Sequence, residues 1–260
     1  MFSFTPGTAP LLVSFPHAGT EIPETIEARM TPEALQRADV DWHLPQLYAF
    51  VRAMGASTIA ARFARHVIDL NRPPEDTSLY PGQDMTGLLP LDTFRKQPLY
   101  LPGQAPDAAE ALVRRAVYWQ PYHDRLRAEL ERLRSIHGSV LLWDAHSIAS
   151  RLPRFFDGKL PDLNLGTADG RACAPAFQAA VEAEMVAQSE LTQVSNGRFK
   201  GGHITRHYGD PEHGVHALQL EICQSTYMIE AAPFAYRPDL AATLQPLLQR
   251  MLNAALKARP

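Results

Sequence analysis

The chain reads as an α/β protein built on a largely parallel sheet, and three observations predict it. Short apolar runs, among them Leu11–Phe15 and the run that begins at Val140, have the length and composition of buried strands. Segments with apolar residues at helical spacing alternate with those runs, as expected when parallel strands are joined by crossover helices. Several of the runs stop abruptly in a histidine, an asparagine–arginine pair or an acid, and such sheets bind ligands beyond the carboxyl ends of their strands.

Composition sets the frame. With 260 residues, 45% of them hydrophobic and 20% charged, the chain can bury a substantial core. No boundary or internal repeat is visible, so a single domain over residues 1–260 is expected. A net charge of −3 without a block of Lys or Arg offers nothing to a nucleic-acid partner. No apolar run reaches the roughly 20 residues that span a bilayer. The opening residues, Met1 to Pro6, lack the basic start and apolar core of a secretory signal. Cys173 and Cys223 are far apart and outside any CxxC pattern, so reduced thiols in a cytoplasmic protein are expected. The 10 histidines are a rich supply of metal ligands.

Leu11–Phe15 is a strand ended by Pro16, which leaves His17 in a loop where Gly19 lets the backbone turn or approach a ligand. Residues 21–39 read as irregular, apart from a short helix opened by Thr31, Pro32 and Glu33. Leu44, Leu47, Tyr48, Val51 and Met54 mark the next helix, stopped by Gly55. Pro45 requires that helix to begin nearby, so Asp41 is either its cap or a carboxylate turned towards a metal. Residues 58–61 and 67–70 read as strand, with Pro73 and Pro74 forbidding continuation. Asn71 and Arg72 are thereby presented at a strand end, Arg72 as either a surface charge or a planar fork for a carboxylate. Residues 75–107, rich in Pro, Gly and Thr, read as a loop covering a site.

A helical segment runs from Ala108 through Trp119 and on to Arg134, its apolar stripe made by Leu126, Leu130 and Leu133. The strand from Val140 closes in Asp144, Ala145, His146 and Ser147. Strand alternation puts Asp144 and His146 on the same side, which suits an imidazole ligand and its supporting carboxylate. Residues 150–169 read as loop, and a helix over residues 175–189 buries Phe177, Val181 and Met185. Residues 197–209 crowd Arg198, Lys200, His203, Arg206 and His207 among glycines, a flexible basic loop that calls for an anionic partner. The alternating stretch from His216 to Ile222 leaves Glu221 on the non-core face, solvated or turned into a cleft. The closing helix, residues 238–257, is core packing built on Leu240, Leu244, Leu247, Leu248, Met251 and Leu252.

One shared cleft accounts for His17, Asn71, Arg72, His146 and Glu221 together. Two histidines and a carboxylate with a position left open make a catalytic zinc site. Glu221 is available as the acid/base beside it. The residues alone thus point to a metal-dependent hydrolase acting on an anionic substrate.

The segments SFPHAGTEIP (14–23), VDWHLPQLY (40–48), VIDLNRPPEDTS (67–78), LLWDAHSIASRLPRFFDGKLPDLNLGTADG (141–170) and GRFKGGHITRHYGDPEHGVHALQLEICQSTYM (197–228) resemble, in order, the N-formylglutamate amidohydrolase family. That family contains the deformylase that closes one route of histidine degradation. The resemblance implies a fold similar to that of the zinc carboxypeptidases and aspartoacylases, a mixed, mostly parallel sheet between helices. It implies Zn2+, or another divalent ion such as Co2+ or Mn2+, held by His17 and His146. Asp41 is the implied third ligand, because it begins the helix after the first strand, where related folds place their carboxylate. Glu21 is the alternative, since Thr20 stands where carboxypeptidase-like sites carry a glutamate. Asn71 and Arg72 resemble the substrate-binding pair of aspartoacylases, and Glu221 falls where those enzymes carry the catalytic glutamate. On this basis the partner is a small molecule, N-formyl-L-glutamate, whose two carboxylates are bound by Arg72 and Arg206. His203 or His207 is expected to stabilise the oxyanion. Two further functions compete: a deacylase for another N-acyl acidic amino acid, and a non-catalytic binding protein that would need the arginines but not Glu221. A cysteine hydrolase built on Cys173 or Cys223 lacks a clear histidine partner in sequence.

Overall fold

The computed structural model describes residues 1–79 and 82–258. Among them, strands β1 (Phe2–Thr5), β2 (Leu11–Phe15), β3 (Ser57–Ala61), β4 (Val140–Ile148), β5 (Leu163–Gly166), β6 (Gln193–Ser195) and β7 (Val215–Cys223) form one sheet in the order β1-β3-β2-β4-β7-β5-β6. The central pairs β3–β2, β2–β4 and β4–β7 are parallel, as is β5–β6, whereas β1 on β3 and β5 on β7 are antiparallel. The sheet is therefore mixed and mostly parallel, as expected. The helices are α1 (Glu24–Glu27), α2 (Pro32–Leu35), α3 (Leu44–Leu47), α4 (Ala108–Arg114), α5 (Gln120–His137), α6 (Pro175–Val186), α7 (His203–Tyr208) and α8 (Pro238–Lys257).

Strand alternation divides the core into two layers. On one face, Leu141, Trp143 and Ala145 of β4 meet Leu218 and Leu220 of β7 under α6 and α8. Helix α8 brings Leu244, Leu247, Leu248, Met251 and Leu252 to that layer, and each buried leucine contributes about 1.5–3 kcal/mol. On the other face, Val140, Leu142 and Ala217 pack against Tyr122, Leu126, Leu130 and Leu133 of α5. Residues Asp144 and His146 share the α5 face with Leu142, and Gln219 and Glu221 share it with Ala217. The parallel register then sets His146 beside Glu221 and Asp144 beside Gln219 on neighbouring strands.

The structure departs from expectation in several places. Residues 67–70 are a buried turn rather than a strand: Val67, Ile68 and Leu70 face the α5 layer. Two of their carbonyls are satisfied by side chains instead of a ladder, with Arg114 Nη1 donating to Val67 O and His123 Nε2 meeting Leu70 O. The helix expected over residues 44–54 breaks after Leu47 and resumes as a 3-10 turn at Ala49–Arg52. Asp41 does not cap it; His43, at φ 62°, holds that position. Half of the expected basic loop is helix α7. The short strands β1, β5 and β6 carry too few residues to be read by pattern.

Candidate active site

His17 follows β2 and His146 sits near the end of β4, two adjacent parallel strands, so the sheet itself brings their rings to 4.8 Å between centroids. Both imidazoles are buried, at 3% and 2% exposure. Each has its Nε2 taken by a buried carboxylate: His17 Nε2 lies 2.7 Å from Asp69 Oδ1, and His146 Nε2 lies 2.9 Å from Asp144 Oδ2. With Nε2 donating to its carboxylate, each ring leaves Nδ1 as its acceptor; in His17 that atom lies 3.2 Å from Arg65 Nη1, and in His146 the Asn71 amide nitrogen sits 2.8 Å from Nε2. Both Nδ1 atoms turn towards Asp41, whose Oδ2 is 3.2 Å from His146 Nδ1 and 3.9 Å from His17 Nδ1. The Asp41 backbone is tied to His17 O, and Ser147 N–H donates to its Oδ2, while Oδ1 is buried without a partner.

Two Nδ1 atoms and one carboxylate, all within 4.8 Å of one another, are a donor set for a divalent cation. The orphaned Asp41 Oδ1 fits the same role, because a buried carboxylate oxygen without a partner is costly unless something binds it. The electrostatics agree. Burial would depress His146, yet Asp144 and Asp41 hold its imidazole well above the ordinary value, so the surroundings favour positive charge at that position. His17 is lowered, by burial and by Arg65 against Asp69. Asp69 is itself held well below the carboxylate range, Arg65 and His17 overcoming its burial. Glu21, the alternative ligand, is exposed and paired with Arg62 at 2.8 Å, away from these atoms.

Supporting contacts run one layer deeper. Ser14 Oγ donates to Asp144 Oδ1 at 3.0 Å and meets Tyr122 OH at the same distance. Asn71 is wholly engaged. Its Nδ2 donates to Asp144 Oδ2 at 3.1 Å, its Oδ1 accepts from Ile204 N–H at 2.7 Å, and its own N–H donates to Asp69 Oδ1. Even a Cβ on Gly202 would lie 2.4 Å from that amide. Asn71, expected as a substrate contact, lines the cleft and also clamps Asp69 and Asp144, the two acids that hold the imidazoles.

A cleft of about 580 Å³, open to solvent, begins at this centre. Glu221 lines it, and among the described residues no hydrogen bond reaches its carboxylate; burial, with Asp41 and Asp144 set against His146 and Arg65, pushes it up to about 8. Arg72 also lines the cleft, its Nε donating to Thr86 O at 2.8 Å. Three expected contacts are placed elsewhere. Arg206 faces a separate surface depression with Arg171 and Gly209, its Nε donating to Gly201 O. His203 and His207 stack on one another at 4.8 Å, with His203 near Trp119 and His123, and neither lines the cleft. The glycine-flanked segment that carries all three winds into α7.

Two arginines missing from the sequence-based site do line it. Arg65 is buried, bonded to Asp69 Oδ2 at 2.5 Å and to His17 Nδ1 at 3.2 Å, with its guanidinium 4.6 Å over the Phe94 ring. Its spacing of four residues from Asp69 was the available signal, obscured because residues 67–70 read as strand. Arg198 also lines the cleft.

The profile of the N-formylglutamate amidohydrolase family matches residues 9–228. Proteins from Pseudomonas aeruginosa and Pseudomonas putida, both named N-formylglutamate deformylase, are each 50% identical over 256 residues, covering 98% of this chain and 96% of theirs. The crystal structure of an N-formylglutamate amidohydrolase from Ralstonia eutropha JMP134 superposes with a TM-score of 0.84 at 28% identity, over 99% of this chain and 98% of that one. A protein from Agrobacterium tumefaciens shares the fold alone, at TM-score 0.71 and 19% identity over 98% of this chain and 94% of its own. The chain belongs to the N-formylglutamate amidohydrolase family.

Proposed function

We propose that this protein is a metal-dependent N-formylglutamate deformylase, releasing formate and L-glutamate. The observation that carries this is the triad His17, Asp41 and His146 with Glu221 beside His146 in register, inside a cleft walled by arginines. The donor set of two imidazoles and one carboxylate supports Zn2+ as the ion, which would supply Lewis acidity and a lowered pKa for water. A role in histidine degradation rests on the family resemblance, and the buried, unpaired Cys173 and Cys223 suit a reducing cytoplasm. No helix among the described residues is long and apolar enough to cross a membrane.

The chain's own residues then divide the work. Asp69 and Asp144 hold the imidazoles with Nδ1 towards Asp41, and Asn71 fixes both acids. Glu221 accepts the proton of the attacking water and passes it to the departing amide nitrogen. Arg65, adjacent to His17 Nδ1, takes the oxyanion-stabilising role expected of His203 or His207. Arg72 binds one substrate carboxylate. The test is formate release from N-formyl-L-glutamate: turnover that stops with chelator and returns with Zn2+ supports this function, and turnover indifferent to chelator contradicts it.

A further inference from the structure

N-formyl-L-glutamate carries two carboxylates, and Arg206, expected to bind the second, does not reach the cleft. We propose that Arg198 reads that second, side-chain carboxylate and so determines specificity for acidic substrates. The inference rests on the deformylase function above.

Among the described residues, the cationic side chains that line the cleft are Arg65, Arg72 and Arg198. Arg65 stands at the reacting end, between Asp69 and His17. An aromatic wall leads away from it. The Arg65 guanidinium lies 4.6 Å over the Phe94 ring, Phe94 meets Phe155 edge-on at 5.0 Å, and the Arg198 guanidinium lies 5.6 Å over Phe155. Arg198 therefore stands two rings further along the cleft than Arg65. That is where the far end of a substrate anchored at its formyl group belongs.

The guanidinium is held in place before any ligand arrives. It lies 5.3 Å over Phe199 as well, while Nε donates to Phe155 O at 2.8 Å and Nη2 to Asp84 O at 3.1 Å. Its loop is clamped at both ends: Asn196 Oδ1 accepts from Thr167 N–H, and Lys200 O accepts from Ala168 N–H. A planar fork fixed by stacking and by a rigid loop loses little entropy on binding a carboxylate. The nearby acid, Asp84, lines the cleft as well. The Asp84 carboxylate is spent on Lys96 and Arg154, neither of which lines the cleft.

The test compares metal-loaded wild type, Arg198→Met and Arg198→Lys on N-formyl-L-glutamate and on its uncharged isostere N-formyl-L-glutamine. Arg198→Met should lower kcat/KM for the acidic substrate by about 10- to 100-fold, mostly through KM, the range of a charge-assisted hydrogen bond. For the glutamine substrate it should change by about twofold or less. Arg198→Lys keeps charge without the fork, so it should recover part of the lost KM on the acidic substrate alone; it also serves if the methionine variant fails to fold. Equal losses on both substrates, or no loss on the acidic one, would overturn the assignment. A wild-type enzyme inactive on N-formyl-L-glutamate would instead sink the deformylase function itself.

Discussion

The two faces of β4 carry opposite tasks on one nine-residue strand. Leu141, Trp143 and Ala145 turn to the layer under α6 and α8, where apolar area is removed from water and nothing asks for a specific atom in a specific place. One residue out of step, Asp144 and His146 turn to the α5 side, where particular atoms must meet particular partners: Asp144 alone meets Ser14, Asn71 and His146. Burial is equally complete on both sides, yet it stabilises on the first and costs on the second. The comparison teaches that the apolar face supplies the free energy that lets the other hold buried acids and imidazoles ready for a cation.

Perturbing the two faces should therefore separate catalysis from stability. Glu221→Gln is expected to retain bound metal and the melting temperature while kcat falls by about 10³-fold or more, within the range for removing a general base. Hydrolysis at the normal rate would remove Glu221 from the chemistry. On the opposite face, Leu248→Ala empties a fully buried position and should cost about 2–5 kcal/mol in chemical denaturation. Its metal affinity and KM should stay as in the wild type, and a shift in either would show that the faces are coupled. Asp144→Asn preserves shape but weakens the hold on His146 Nε2, so metal affinity or activity should fall about 10- to 100-fold in a competition titration.

The smallest effect concerns acid. Burial, followed by the neighbouring His207, pushes His203 down to about 4, below its ordinary 6.5. The fold therefore favours the neutral ring, and that contribution is whole above pH 6.5 and is lost as pH falls from 6.5 towards 4. Denaturation of His203→Leu should lose about 1 kcal/mol less than the wild type between about pH 7.5 and pH 5.5. Parallel losses in both proteins would assign the acid sensitivity to another group.

Much of this contrast was legible in the chain. The apolar runs at Leu11–Phe15 and Val140–Ile148 and the alternating stretch within Val215–Cys223 are strong periodic signals, and they position His17, His146 and Glu221. Asp41 could not be separated from a helix cap by pattern, because cap and ligand use the same short acid in the same place. Asp69 and Arg65 escaped because residues 67–70 form a buried turn whose apolar content imitates a strand. Arg198 and Arg206 sit in one glycine-flanked basic segment whose composition does not tell them apart; Arg198 precedes α7 and lines the cleft, whereas Arg206 lies on α7 and lines a separate depression.

The central claim is that His17, Asp41 and His146 share one divalent ion. Elemental analysis of the purified wild type and of Asp41→Ala measures it most directly. The account predicts a divalent ion bound near equimolar to the wild-type chain and lost from the variant while the fold persists by circular dichroism. Undiminished metal in a folded Asp41→Ala protein would contradict it.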